Sequence, residues 1–221
     1  MWDSTTINMI LEGILQTIYM TVTSTVLGYL LGLPMGVLLT ISDKNGLKPN
    51  PFLYKVLDAI SNIVRSIPFL ILLILLIPFT RQIVGQSYGS TATIVPLIIC
   101  SAPYIARMVE ASLKEVDPGV IEAAKAMGAG NTQIVFKVLL VEARTSLVTN
   151  ATIALGSVLG YSAMAGTVGG GGLGDIAVRY GYYRYQTDIM LVTVVLLIVL
   201  FQIFQNSGMA VAKKLDHTKK S

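Results

Sequence analysis

Asp117-Pro-Gly-Val-Ile-Glu122-Ala-Ala-Lys-Ala-Met-Gly128-Ala-Gly-Asn131-Thr-Gln-Ile-Val-Phe-Lys-Val-Leu-Leu140 is the longest polar-punctuated stretch in a chain otherwise dominated by apolar runs. Asp117 suits an N-cap, and Pro118 at the first helical position gives up no backbone hydrogen bond. Val120, Ile121, Ala124 and Met127 share one helical face, with Glu122 and Lys125 on another. Gly128 suits the left-handed residue that closes a helix. Asn131 is expected to cap a second helix carrying Ile134, Lys137 and Val138. Two short helices meeting at a glycine form either a docking elbow or a helical hairpin lying on a membrane, and the residues alone leave both open.

Outward from this stretch, the composition is that of a membrane protein. Of 221 residues, 53% are hydrophobic and 13% charged, and the mean hydropathy is +0.70; soluble chains carry about 25% charge. One cysteine, Cys100, excludes an internal disulfide and reads as a small packing residue; one histidine, His217, offers no metal cluster. The start lacks the basic region of a signal peptide. Apolar runs predict an all-α integral membrane fold with five spans, at about 14–41, 57–79, 91–113, 146–168 and 188–212. They flank an elbow at 117–142, with a segment 1–13 before them and a basic tail 213–221 after. The first span places Gly28, Gly32 and Gly36 at four-residue spacing, a small-residue row that lets another helix approach closely, with Thr17, Thr21 and Thr25 continuing it. Pro34 predicts a kink. Arg65 near the second span either snorkels or pairs with Asp58. The fourth span is built of small residues from Ala151 to Ala165, as expected inside a bundle or beside a pathway. Tyr180, Tyr182, Tyr183 and Tyr185 read as an interfacial aromatic belt.

The basic residues orient the chain. Thirteen of its sixteen lysines and arginines fall on the elbow and tail side of a five-span model; Arg81, Arg179 and Arg184 fall on the other. The positive-inside rule then puts the N-terminus outside and the C-terminus inside. Gly169, Gly171 and Gly174 satisfy G-x-G-x-x-G, but with no strand before them they are expected to form a flexible extracytoplasmic loop rather than a nucleotide site. No Walker A pattern and no nucleophile–base set occurs, so the chain is not expected to be an enzyme, nor to bind nucleic acid.

Glu122-Ala123-Ala124, then Gly128, Ile134 and Val138-Leu139-Leu140 resemble the EAA loop of type I ABC importer permeases; Val141 stands where that family usually has proline. Arg65-Ser-Ile-Pro-Phe69, Gly160-Tyr-Ser-Ala-Met164 and Gly172-Leu-Gly174 are similar to the methionine uptake permeases among them, so that the likeness runs from about 14 to 211. The resemblance implies a multi-pass permease of the bacterial inner membrane that works as a homodimer, surrounded by lipid. It implies two partner ATPase subunits that bind the ATP and Mg, with no cofactor on this chain, and an external binding protein delivering methionine. It assigns Glu122, Ala123, Ala124 and Gly128 to coupling. Met164, near the extracytoplasmic end of the small-residue span and just before the glycine loop, is a gate candidate in a homodimer, with Tyr161 and Ser162 beside it as gate or pathway residues; ordinary packing is the other reading of Met164. Another amino acid or small nutrient is the competing substrate. Further off stand a secondary transporter or channel, against which the scarcity of mid-span charge speaks, and a membrane scaffold.

Overall fold

The computed structural model describes residues 3–215, and among them all regular structure is helical. Helix α1 (Ser4–Ser42) opens on Asp3, whose carboxylate accepts the Thr6 N–H at 2.9 Å, and runs through Pro34 without a break. The segment 1–13, expected to precede the first span, is therefore helical from Ser4 onward. Then follow α2 (Pro51–Ser66), α3 (Phe69–Leu75), α4 (Ile77–Val84), α5 (Ser90–Lys114), α6 (Pro118–Ala126), α7 (Asn131–Ile134), α8 (Leu140–Glu142), α9 (Arg144–Ala165), α10 (Gly172–Ile176) and α11 (Thr187–Leu215). Wide π turns at Val135–Leu139 and Ala177–Tyr182 follow α7 and α10. Lys213 and Lys214 belong to the last turn of α11; His217, Lys219 and Lys220 of the expected tail lie outside the described residues.

Among the described residues, four helical stretches are long and apolar enough to cross a membrane, beginning at Ser4, Ser90, Arg144 and Thr187. A fifth is present if α2 and α3 count together, although they bend by 102°. The single helix expected over 57–79 is thus three. Pro68 disfavours helical backbone at the residue before it, and Ile67 is extended at φ −84°, ψ 125°. Pro78 then lies in the first turn of α4, where its missing N–H costs nothing.

Close approach of α1 and α5 organises the bundle. A Cβ at Gly32 would lie 2.7 Å from the Ala102 carbonyl oxygen, and one at Gly36 2.5 Å from that of Ala106. At Gly28 it would meet the Ser101 hydroxyl at 2.5 Å. In lipid, where helices gain little from hiding apolar surface from one another, such backbone proximity supplies the dispersion contacts that hold them. Helix α11 docks on α9 in the same manner, with Phe201 over Gly156 and Thr152 against Gly208. Cys100 packs among Met20, Leu72, Leu97 and Val158 in the middle of the bundle.

Candidate coupling elbow and its supports

Asp117 caps α6 by accepting the Gly119 N–H at 2.7 Å, with Pro118 at the first helical position. At the far end Gly128 turns left-handed, φ +81°. Its N–H reaches the Lys125 carbonyl at 2.9 Å, while the Ala129 N–H reaches that of Ala124 at 3.0 Å. Both bonds of a Schellman closure are present, and any side chain with a Cβ is disfavoured at Gly128. The next helix departs from expectation. Gly130, not Asn131, is its cap residue, and the Gln133 side chain reaches back to accept the Gly130 N–H at 3.0 Å. With Val141 in place of proline, α8 continues to Glu142.

The elbow is fixed to the bundle on one side and bare on the other. Ala124, Ile134, Val135, Leu139 and Ala143 are buried with Ile105, Val109, Leu113 and Val116. The expected common face of α6 is therefore divided: Ile121 and Ala124 turn inward, whereas Val120 is exposed and Met127 is 82% exposed. Glu122, Ala123 and Gly128 are exposed as well, and beyond them Phe136 is 65% exposed. Ala124 thus packs against its own chain. Met127 and Phe136, which the motif did not single out, are the most exposed large apolar side chains of the elbow.

Behind the elbow lies a charged seam that sequence reasoning missed. Arg107 of α5 donates to Glu110 at 2.7 Å, to Asp58 of α2 and to Asn62 at 3.2 Å. Glu110, 5% exposed, also accepts from Lys114 at 2.8 Å and from the Tyr54 hydroxyl at 3.4 Å. Lys114 continues to Asp43 at 2.6 Å, on the turn after α1. This hydrogen bond is the main reason that the Asp43 carboxyl is held below its usual range, against a smaller opposing effect of burial. Asp58 is therefore engaged across helices, and Arg65, exposed, is not its partner.

At the opposite end of the bundle the glycine loop is a built structure rather than a flexible one. Gly172 N–H donates to the Gln16 side chain at 2.8 Å and Leu173 N–H to the Thr17 hydroxyl at 2.9 Å. The Glu12 carboxylate takes the Gln16 amide N–H at 3.0 Å, which turns the Gln16 oxygen toward the loop. Gly169 carbonyl accepts from Gly89 N–H at 2.9 Å, and Leu173 is fully buried. Gly172 has φ +75°, and a Cβ there would lie 2.7 Å from the Thr17 hydroxyl.

The three candidate gate residues do not share a surface. Ser162 is buried, donates to the Leu159 carbonyl at 2.8 Å and faces Thr21 of α1. Tyr161 stacks on Phe69 with ring centroids 5.0 Å apart. Met164 is 48% exposed, on the same uncovered side of α9 as Ile153 and Gly160. Successive helical residues point about 100° apart, so a contiguous motif is spread over several faces.

Comparison with known proteins agrees with this arrangement. Residues 28–216 match the family model described as binding-protein-dependent transport system inner membrane component. A probable D-methionine transport system permease protein of Vibrio cholerae is 52% identical over 84% of this chain and 82% of its own length. The methionine import system permease protein of Bacillus subtilis is 42% identical over 81% of each. A chain from inward-facing structures of the MetNI methionine ABC transporter superposes with a TM-score of 0.95 at 46% identity, over 97% of this chain and 100% of that one. The chain is an all-α, multi-pass membrane protein, and it belongs to the family of binding-protein-dependent transport system inner membrane components.

Proposed function

We propose that this chain is the permease subunit of an ATP-driven importer, and that its substrate is methionine. The elbow carries the reading: a capped, rigid pair of short helices is welded to the bundle on one side. Its other side presents Glu122, Ala123, Met127 and Phe136 uncovered. An uncovered apolar patch on a stiff element is what a partner needs in order to push on the bundle. The chain's own sequence has no phosphate-binding Walker loop, so the energy comes from a separate subunit that binds ATP and Mg. The methionine assignment is carried over from the relatives named above.

In this reading two copies pair around a central path and two ATPase subunits seat on the elbows. A binding protein delivers substrate at the glycine-loop end, which lies outside, with the elbow and the C-terminus in the cytoplasm. The excess of basic residues on the elbow side supports that orientation. ATP draws the ATPases together, the elbows follow, and the helices rock to open the path outward; hydrolysis reverses the motion. A thioether zwitterion needs few charges from the path, consistent with spans poor in acidic residues.

The deciding experiment is uptake by proteoliposomes holding this chain with its ATPase and binding protein. ATP-dependent accumulation of methionine, not displaced by other amino acids, is expected. Failure of methionine to accumulate while another amino acid does would overturn the substrate. Cysteines replacing Met127 and Gln186 in a Cys100→Ser background should react with impermeant reagents from opposite sides of the membrane.

A further inference from the structure

Helix α2 is held in an unusual way. Of its 16 residues only Ser61 is buried, while Phe52, Val56, Ile60 and Ile63 stand exposed along one side. A helix so poorly anchored by packing needs another attachment. Its start is tied by the turn after α1, where Asn50 N–H reaches the Ser42 carbonyl at 3.0 Å. Its end is the extended Ile67–Pro68 joint, where the chain bends by 102° into α3. Between these joints the grip is polar. Tyr54, Asp58 and Asn62 recur every four residues and so form one row along α2. All three bond to two residues of α5, Arg107 and Glu110.

Arg107 is the hub of that row. One guanidinium nitrogen, Nη1, donates to Glu110 on its own helix; the other, Nη2, donates to Asp58 and Asn62 on α2. A planar fork fixes the relative orientation of these acceptors, which the single ammonium of lysine does not. Asn62 is oriented in turn by its own N–H bond to Asp58 at 3.1 Å. The Arg107 side chain is 19% exposed and that of Glu110 6%, so salt screens the pair less than it would an exposed one. Three residues beyond Lys114 the elbow begins at Asp117, and Leu113 and Val116 belong to the same buried apolar cluster as Ala124 of α6. A continuous connection therefore runs from α6 through apolar packing into α5, and from α5 through the polar row into α2.

We propose that Arg107 is a positioning residue for transport: it fastens α2 to α5, so that displacement of the elbow moves α2 along with α5. This rests on the permease reading above. With the row intact, α5 and α2 travel as one body and the joint at Pro68 takes up the change of angle. With the row cut, the apolar contact left to α2 is slight, with Val64 against the bundle core at its far end, and the ATPases cycle without moving the helix as a whole. The affected quantity is the substrate imported per ATP hydrolysed.

The test uses the complete complex in proteoliposomes, comparing Arg107→Ala, Arg107→Lys, Asp58→Asn and Asn62→Ala, with Lys55→Ala as a control on α2 outside the row. Uptake and ATP turnover are measured on the same vesicles and normalised to assembled complex. Arg107→Ala is expected to keep its ATP turnover while imported methionine per ATP falls about tenfold, within the range for coupling through a residue that touches neither ligand. Arg107→Lys and Asp58→Asn should fall between it and wild type, and Lys55→Ala should match wild type. A purely structural arginine would lower uptake and turnover together and leave their ratio unchanged, and that result overturns the proposal. If Arg107→Ala does not assemble, Asp58→Asn and Asn62→Ala decide; wild-type ratios in both overturn it equally. Absence of ATP-driven uptake in the wild-type vesicles is a separate outcome, which would sink the permease reading itself.

Discussion

The side-chain oxygen of Gln16 accepts the backbone N–H of Gly172 at 2.8 Å, across 156 positions of sequence. With the neighbouring bond from Leu173 N–H to Thr17, it fixes the glycine loop on α1. Thr17→Val keeps the shape but leaves the buried Leu173 N–H unpaired, a loss of about 1–3 kcal/mol. Lower thermal stability and faster proteolytic nicking near 169–172 are expected. Nicking at the wild-type rate in Thr17→Val would show that the loop does not depend on this bond.

The glycine row on α1 makes a second, paired prediction. A methyl group at Gly36 meets the Ala106 carbonyl and the Val109 Cβ, whereas one at Gly160 meets nothing within 4 Å. Gly36→Ala should destabilise by about 1–3 kcal/mol through overpacking. Gly160→Ala should be neutral or gain up to about 1 kcal/mol from helix propensity. Melting curves of the two variants side by side provide the check, and equal losses would remove close approach as the cause.

For the elbow, Gly128→Val should disturb coupling without preventing insertion. There is room for the side chain, so the strain comes from the backbone at φ +81°, which a β-branched residue resists. Glu122→Arg instead reverses the charge of an exposed residue on the proposed docking face. Reduced retention of the ATPase subunits, or ATP turnover no longer linked to uptake, is expected for both. Unaltered uptake in both variants would remove the coupling role from these positions.

Met164 is the gate candidate left open to its surroundings. In a two-fold dimer one such side chain from each copy can meet near the axis, and an unbranched thioether repacks readily as helices part. Met164→Ala should then raise leak through vesicles lacking ATP, and labelling of Met164→Cys should differ between nucleotide-free and ATP-trapped states. Unchanged leak with state-independent labelling returns Met164 to ordinary packing.

Local features were the ones legible in the sequence. Asp117-Pro118 and Gly128 marked the ends of α6 because caps and left-handed glycines act within a turn or two. The row at Gly28, Gly32 and Gly36 showed which side of α1 admits a neighbour, though not that α5 is that neighbour. The seam was hidden because the bonds that join its helices cross long separations: Arg107 pairs with Asp58 49 positions away, and Lys114 with Asp43 71 away. Within a single helix, Arg65 lies two turns from Asp58, which leaves snorkelling or pairing as its two readings. The glycine loop misled for the same reason. Flexibility is the fair expectation for glycines taken alone, and the side chains that fix these lie far off in sequence, Gln16 and Thr17 on α1 and Thr93 on α5. Pro68 was visible, yet whether a proline bends a span or divides it depends on what packs around the joint.

Helix α1 carries a geometric consequence of its own. Its 39 residues extend about 58 Å at 1.5 Å per residue, nearly twice the roughly 30 Å of a bilayer's hydrocarbon. Along that length it meets the glycine loop at Gln16 and Thr17, and α5 at Gly28, Gly32 and Gly36. Just past its end, Asp43 meets the charged cluster. One extra residue between Thr25 and Gly28 would rotate one end against the other by about 100°, and all three attachments could not then be kept. A loop at one end of the bundle and an ionic cluster at the other are held in phase by a single unbroken rod.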